Sequence, residues 1–152
     1  MSRTEGGDVM TDVIMRTFRL YGAFLSAADV MTKPVGLTAA WWQVLGMVLR
    51  EPLSVSGVAR EAGLTRQSVQ RIADLLVDKG LAEYMPNPAH RRAKLLTPTE
   101  EGYAAIAKLR EVQHGFTNRV SAQVPLEDLR TTLEVMTKLV AAVEADEIVG
   151  DR

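Results

Sequence analysis

Residues 54–94, SVSGVAREAGLTRQSVQRIADLLVDKGLAEYMPNPAHRRAK, constrain the fold more tightly than any other part of the chain. At about 100° per residue, Val69, Ile72, Ala73 and Leu76 share one arc of a helix over residues 65–79. Arg66, Gln67, Gln70, Arg71 and Asp74 share the opposite arc. The first arc suits burial against a core. The second presents guanidinium and carboxamide groups, which match the edges of guanine and adenine in a DNA major groove. Before it, Ser54 or Ser56 can cap a short helix whose inner side is Val58, Ala59 and Ala62. Gly63 supplies the positive φ of a tight turn and Thr65 can cap the next helix. A small residue at 59 and a turn without a Cβ at 63 allow two helices to cross closely, which is the pattern of a helix-turn-helix.

The segment after Gly80 completes that pattern. Residues 81–85 alternate as a strand does, Pro86-Asn87-Pro88 forces a turn, and residues 91–96 can return as a second strand. The hairpin tip then carries His90, Arg91, Arg92 and Lys94. A basic hairpin directly after a helix-turn-helix predicts a winged helix whose tip reaches DNA backbone or minor groove. The charge distribution agrees. The whole chain of 152 residues has a formal net charge of −1, but residues 54–94 hold seven basic and four acidic side chains. Local distribution, not the total, sets an electrostatic footprint.

Other chemistries find little support. The chain has no cysteine, which excludes disulfides, thiolate metal sites, a cysteine nucleophile and a thiol redox switch. His90 and His114 are far apart and make no zinc site by themselves, so no metal or cofactor is expected. No apolar run approaches the ~20 residues of a membrane span, and MSRTEGGDVM lacks a signal-peptide core. A cytoplasmic protein without membrane partners is expected. An enzyme would need a nucleophile–base pair, a phosphate-binding glycine loop or a metal cluster, and none is visible. A winged helix serving protein contact is the other competing class, and it predicts DNA binding without sequence preference.

The flanking segments read as long helices. Residues 8–31 place Met10, Val13, Thr17, Tyr21, Phe24, Ala28 and Met31 on one side. Lys33-Pro34-Val35-Gly36 breaks this helix, and Thr38 caps the next, residues 39–50, with Trp42, Leu45, Val48 and Leu49 inward. Residues 53–55 suggest a short strand pairing with the wing. Residues 97–100, TPTE, fit a capping box with Pro98 at the first helical position. The helix after it runs to about 122, with Tyr103, Ile106, Leu109, Val112 (or Gln113), Phe116 and Val120 inward. A last helix over 126–148 repeats Leu126, Leu129, Leu133, Met136, Val140 and Val143 every three or four residues. These stripes exceed what one winged helix can cover, so a homodimer is expected, with two recognition helices about one DNA turn apart. The fold class is mainly α with a small β-wing: a winged helix-turn-helix over about 38–97, flanked by dimerisation helices over 8–32 and 98–148, in a single unit of 1–152.

On the strength of LTRQSVQRIADLLVDKGL (64–81), NPAHRRAKLLTPTEEG (87–102) and the element order, residues 9–145 resemble the MarR (multiple antibiotic resistance regulator) family. The resemblance implies a dimeric, double-stranded-DNA-binding transcription factor. Most members are repressors, and many are released by small aromatic or phenolic ligands. Thr65, Arg66, Gln67, Ser68, Gln70 and Arg71 match the major-groove end of the family's recognition helix, and Arg92 matches its minor-groove arginine. The residues themselves leave the choice between Arg91 and Arg92 open. His90 departs from the pattern, standing where family members usually carry the Asp of Asp-x-Arg. Ser54 and Ser56 would add phosphate contacts on a palindromic operator. Trp42 belongs to the core, and Trp41, ~100° away, can face a gap between the winged helix and the dimerisation helices. Phe18, Tyr21 and Met47 could line the same gap as an effector site, the competing reading being a hydrophobic core.

Overall fold

The computed structural model describes residues 2–150, and the chain divides into two compact units, Met1–Glu111 and Val112–Arg152. The first contains α1 (Glu5–Thr32), a 3-10 turn (Lys33–Val35), α2 (Ala39–Val48), β1 (Leu53–Ser54), α3 (Val55–Ala62), α4 (Arg66–Asp78), β2 (Ala82–Met85) and β3 (Leu95–Pro98). Helix α5 (Glu100–Ser121) begins there and ends in the second unit. The second unit continues with α6 (Leu126–Glu144) and α7 (Glu147–Gly150).

Local chemistry sets most of these boundaries. Thr4 caps α1, its hydroxyl accepting from Gly7 N at 3.1 Å. Thr38 caps α2 by accepting from Trp41 N at 3.2 Å. Asp29, near the end of α1, also accepts from Ala39 N at 3.3 Å, so the side chain of one helix helps to satisfy the first turn of the next. Thr32 is fully buried and donates back to Ala28 O at 2.8 Å.

Helices α2, α3 and α4 pack around a core of Val44, Leu45, Val48, Val58, Ala59, Val69, Ile72, Ala73 and Leu76, joined by Ala82, Leu96 and Ile106. The four residues expected on the inner arc of α4 are all buried. Each fully buried Leu or Val contributes roughly 1.5–3 kcal/mol over its exposed state, so this cluster dominates the stability of the first unit. Trp41, Trp42 and Met47 pack, half-buried, against the same core. Trp41 therefore joins Trp42 at the core surface.

The three strands form an antiparallel sheet in the order β1-β3-β2. Leu53 stands opposite Leu96, and Tyr84 also pairs with Leu96, which is fully buried. The short strand expected at 53–55 is present as Leu53–Ser54 and paired with the wing, while Val55 already opens α3.

Several expected boundaries are corrected. Helix α1 begins at Glu5, capped by Thr4, not at 8. Helix α2 ends at Val48, not 50. The returning wing strand is Leu95–Pro98, so residues 91–94 belong to the loop. Pro98 still pairs with Ala82, which shifts the start of α5: its cap is Thr99, whose hydroxyl accepts from Gly102 N at 3.2 Å, rather than Thr97. The last helix stops at Glu144. Asp146 N turns to Val143 O, and the Asp146 carboxylate accepts from Ile148 N at 3.0 Å, opening the short α7. An aspartate side chain competing for backbone donors ends helices in this way.

The apolar stripes of the long helices are largely uncovered. On α1, Phe18 is 66% exposed and Phe24 48%. No residue of α6 is buried, and Leu133 and Val140 are 69% and 57% exposed. Tyr103, Val112 and Val120, expected to point inward from α5, are also exposed.

Candidate nucleic-acid interface

The turn between α3 and α4 is built by one glycine. Gly63 takes φ 65° and ψ 31°, in the left-handed region where a Cβ is penalised. It lets Leu64 N reach back to Ala59 O at 2.9 Å, closing a Schellman-type end on α3. Thr65 then accepts from Ser68 N at 3.1 Å and starts α4. Ser54 caps α3 through a bond from Gly57 N at 3.1 Å, which settles the alternative between Ser54 and Ser56. At its other end α4 closes on Gly80, φ 72°, with Gly80 N donating to Val77 O and Leu81 N to Leu76 O.

The wing loop is organised by Asn87. Its Nδ2 donates to Ala93 O at 2.8 Å across the loop, and its Oδ1 accepts from Ala89 N at 3.0 Å. Its carbonyl accepts from His90 N, and Ala93 N donates to His90 O. The loop is thereby closed through Asn87, while the His90 side chain, standing where the family pattern has Asp, lies exposed. Asn87 was expected only as part of a turn; the Asn-Pro pair is the legible signal for an Asx-type turn.

These elements enclose a groove of about 700 Å³. From the α3 side come Ser54, Val55 and Ser56. From α4 come Arg66, Gln67 and Gln70. Tyr84 lies on β2, and His90, Arg92, Ala93 and Lys94 come from the wing. Of the twelve expected DNA contacts, eight line this groove. Thr65, Ser68, Arg71 and Arg91 do not: Thr65 and Ser68 form the cap, and Arg71 and Arg91 are exposed elsewhere. Among the described residues, none of Arg66, Arg71, Arg91, Arg92 and Lys94 makes an ion pair. The groove therefore presents cationic side chains without internal neutralisation, which is what a polyanion requires.

One polar cluster in the groove was not expected. Gln70 Nε2 donates to Asp74 Oδ1 at 3.0 Å and to Tyr84 Oη at 2.9 Å, and Tyr84 Oη donates to the same Asp74 oxygen at 2.7 Å. Burial, then the hydrogen bond and negative charge of Asp74, push the Tyr84 hydroxyl from 10.0 up to about 12, against an opposing bond from Gln70. The four-residue spacing of Gln70 and Asp74 was the available sequence signal; the arrival of Tyr84 from a strand ten residues on was not readable.

The expected effector residues are spread over two settings. Trp41 and Met47 pack on the core, whereas Phe18 and Tyr21 are 66% and 46% exposed on α1. Among the described residues, no group of three His, Asp or Glu side chains could hold a metal ion, and no helix is long and apolar enough to cross a membrane.

The segment that builds the groove also carries the family assignment. Residues 35–93 match the model of the MarR family. The chain belongs to the MarR family. As a MarR-family regulator it is a DNA-binding transcription regulator of winged-helix fold and not an enzyme. It is 34% identical over 139 residues to Rv2011c, an uncharacterized protein of Mycobacterium tuberculosis, covering 91% of this chain and 97% of that protein. The structure of CouR from Rhodococcus jostii, bound to p-coumaroyl-CoA, is similar with a TM-score of 0.69 and 26% identity, covering 85% of this chain and 92% of that one. A mutant of MarR from E. coli, complexed with operator DNA, shares the fold with a TM-score of 0.73 at 18% identity, covering 90% and 99%.

Proposed function

We propose that this MarR-family protein is a homodimeric repressor that reads a palindromic operator and releases it on binding a small aromatic ligand. The observation that carries the DNA half of the reading is the groove, where unneutralised basic side chains of α4 and of the wing converge. In the bound state, α4 enters the major groove with Arg66 and Gln67 at its leading end, and residues 86–94 lie along the minor groove. Arg92 is the better minor-groove candidate, because it lines the groove and Arg91 does not. Ser54 and Ser56, with Lys94, meet phosphates. Residues 38–97 form the reading part, and α1, α5 and α6 form the dimer. Their exposed apolar side chains need a partner, and a second copy brings the same complement.

The operator complex of the E. coli relative and the p-coumaroyl-CoA complex of CouR support the two kinds of ligand. In this chain the effector would meet Phe18, Tyr21, Trp41 and Met47. Selection of random duplexes by the purified protein, followed by affinity over a salt series, tests the reading. A palindromic consensus, bound with a steep salt slope, is the expected result. Binding without a consensus would sink it. Loss of Arg66 by Arg66→Ala should cost about 1–3 kcal/mol per base contact.

A further inference from the structure

The cluster of Gln70, Asp74 and Tyr84 fixes which part of a carboxamide can face DNA. A carboxamide has two N–H donors on its nitrogen and an acceptor oxygen. In this structure the amino group is turned into the cluster, Nε2 donating to Asp74 Oδ1 at 3.0 Å and to Tyr84 Oη at 2.9 Å. The orientation is dictated by chemistry: an ionised carboxylate only accepts, so the NH2 and not the oxygen must turn toward Asp74. Tyr84 Oη spends its own hydrogen on Asp74 at 2.7 Å and is left to accept from Gln70. Among the described residues, Gln70 Oε1 takes no hydrogen bond. Gln70 and Tyr84 both line the groove.

We propose that Tyr84 and Asp74 are positioning residues that turn Gln70 into a pure acceptor, so that it selects a base bearing an exocyclic amine, adenine or cytosine. The proposal rests on the reading of α4 as the major-groove element. It differs from the usual pairing, in which Gln holds adenine in two places by accepting from N6 and donating to N7. Here N7 is not read. Guanine, with two acceptors in the major groove, and thymine, with an acceptor and a methyl group, offer Oε1 no donor. The fixed carboxamide also meets DNA without first losing side-chain freedom, a cost that long polar side chains otherwise bear on ordering.

The test uses the full chain, the wild-type consensus duplex, and the variants Gln70→Ala and Tyr84→Phe. The base facing Gln70 is the one whose substitution penalty disappears in Gln70→Ala. It is expected to be adenine or cytosine, and deleting its amine should weaken wild-type binding on the order of fivefold to tenfold, the worth of one hydrogen bond. If it is adenine, 7-deazaadenine should bind as well as adenine. Tyr84→Phe, which keeps the ring and removes the hydroxyl, should release one N–H, weaken the preference for an amine at that base, and make 7-deazaadenine costly. Guanine or thymine at that base, or a 7-deazaadenine loss equal to the amine loss in the wild type, overturns the proposal. So does an unchanged preference in Tyr84→Phe. A consensus that Gln70→Ala leaves intact at every base overturns it alone, whereas no consensus for the wild type overturns the DNA reading and this inference with it.

Discussion

Gly102, in the first turn of α5, lies against the carbonyl oxygen of Leu81, so close that a Cβ would collide with it. The same carbonyl accepts from Thr99 N at 3.1 Å, and the Thr99 hydroxyl donates to Gly80 O at 2.6 Å. The chain leaving α4 is thus seated on the start of α5. Gly102→Ala gains helix propensity of at most ~1 kcal/mol, but the obstacle is backbone and cannot swing aside. We expect a net loss of about 1–3 kcal/mol, the usual cost of overpacking, in urea unfolding. Gly46, inside α2, where a Cβ would meet open space beyond its own helix backbone, is the control. Gly46→Ala should stabilise by roughly 0.5–1 kcal/mol.

The Tyr84 hydroxyl gives the fold an alkaline limit. Its folded value, about 12, lies above its ordinary value of 10.0. The sign follows from linkage: the contribution is complete below about pH 10, where both states hold the proton, and is lost as pH rises from about 10 to 12. Stability of the wild type should therefore fall across that window, and Tyr84→Phe should remove this part of the slope. Ultraviolet titration should show a phenolate phase near pH 12, and that phase should be missing from Tyr84→Phe. Asp74→Asn should lower the midpoint without returning it to 10.0, because burial is the larger cause.

Thr65 holds the first turn of α4 through its bond from Ser68 N at 3.1 Å. Thr65→Ala should cost about 0.5–2 kcal/mol in thermal or chemical unfolding, and Thr65→Ser should be close to neutral. Equal losses for both would show that the methyl group and not the cap matters.

Arg92 lines the groove and Arg91 does not. On the proposed binding mode, Arg92→Ala should reduce the slope of log affinity against log salt by about 1, and Arg91→Ala should change it less. The reverse order would move the minor-groove contact to Arg91.

Dimerisation is tested on α6, where Leu133 and Val140 are largely exposed. We expect sedimentation of the wild type as a dimer, and a shift to monomer for Leu133→Asp with Val140→Asp. Operator affinity should fall with it, since one reading head then acts alone. A monomeric wild type with full operator affinity would refute the arrangement.

The sequence by itself determined those features whose cause is local. The inner arc of α4, the left-handed turns at Gly63 and Gly80, the caps at Thr38 and Thr65, and the basic wing all follow from side-chain period, backbone permission and hydrogen-bonding groups a few residues apart. The strand expected at 53–55 was legible only as a short extended segment; its pairing with Leu95 and Leu96, and its end at Ser54, needed the distant wing strand. Tertiary structure decided what depends on residues distant in the chain. Strand pairing of Pro98 with Ala82 outweighed a capping box at Thr97 and moved the start of α5, because a formed sheet satisfies backbone groups that a local cap would otherwise take. Convergence of Arg66 with Arg92 in one groove needed the hairpin to fold back beside α4. The bond from Tyr84 to Asp74 needed β2 to lie along the helix, and with it the orientation of Gln70 passed from a free rotamer to a held one.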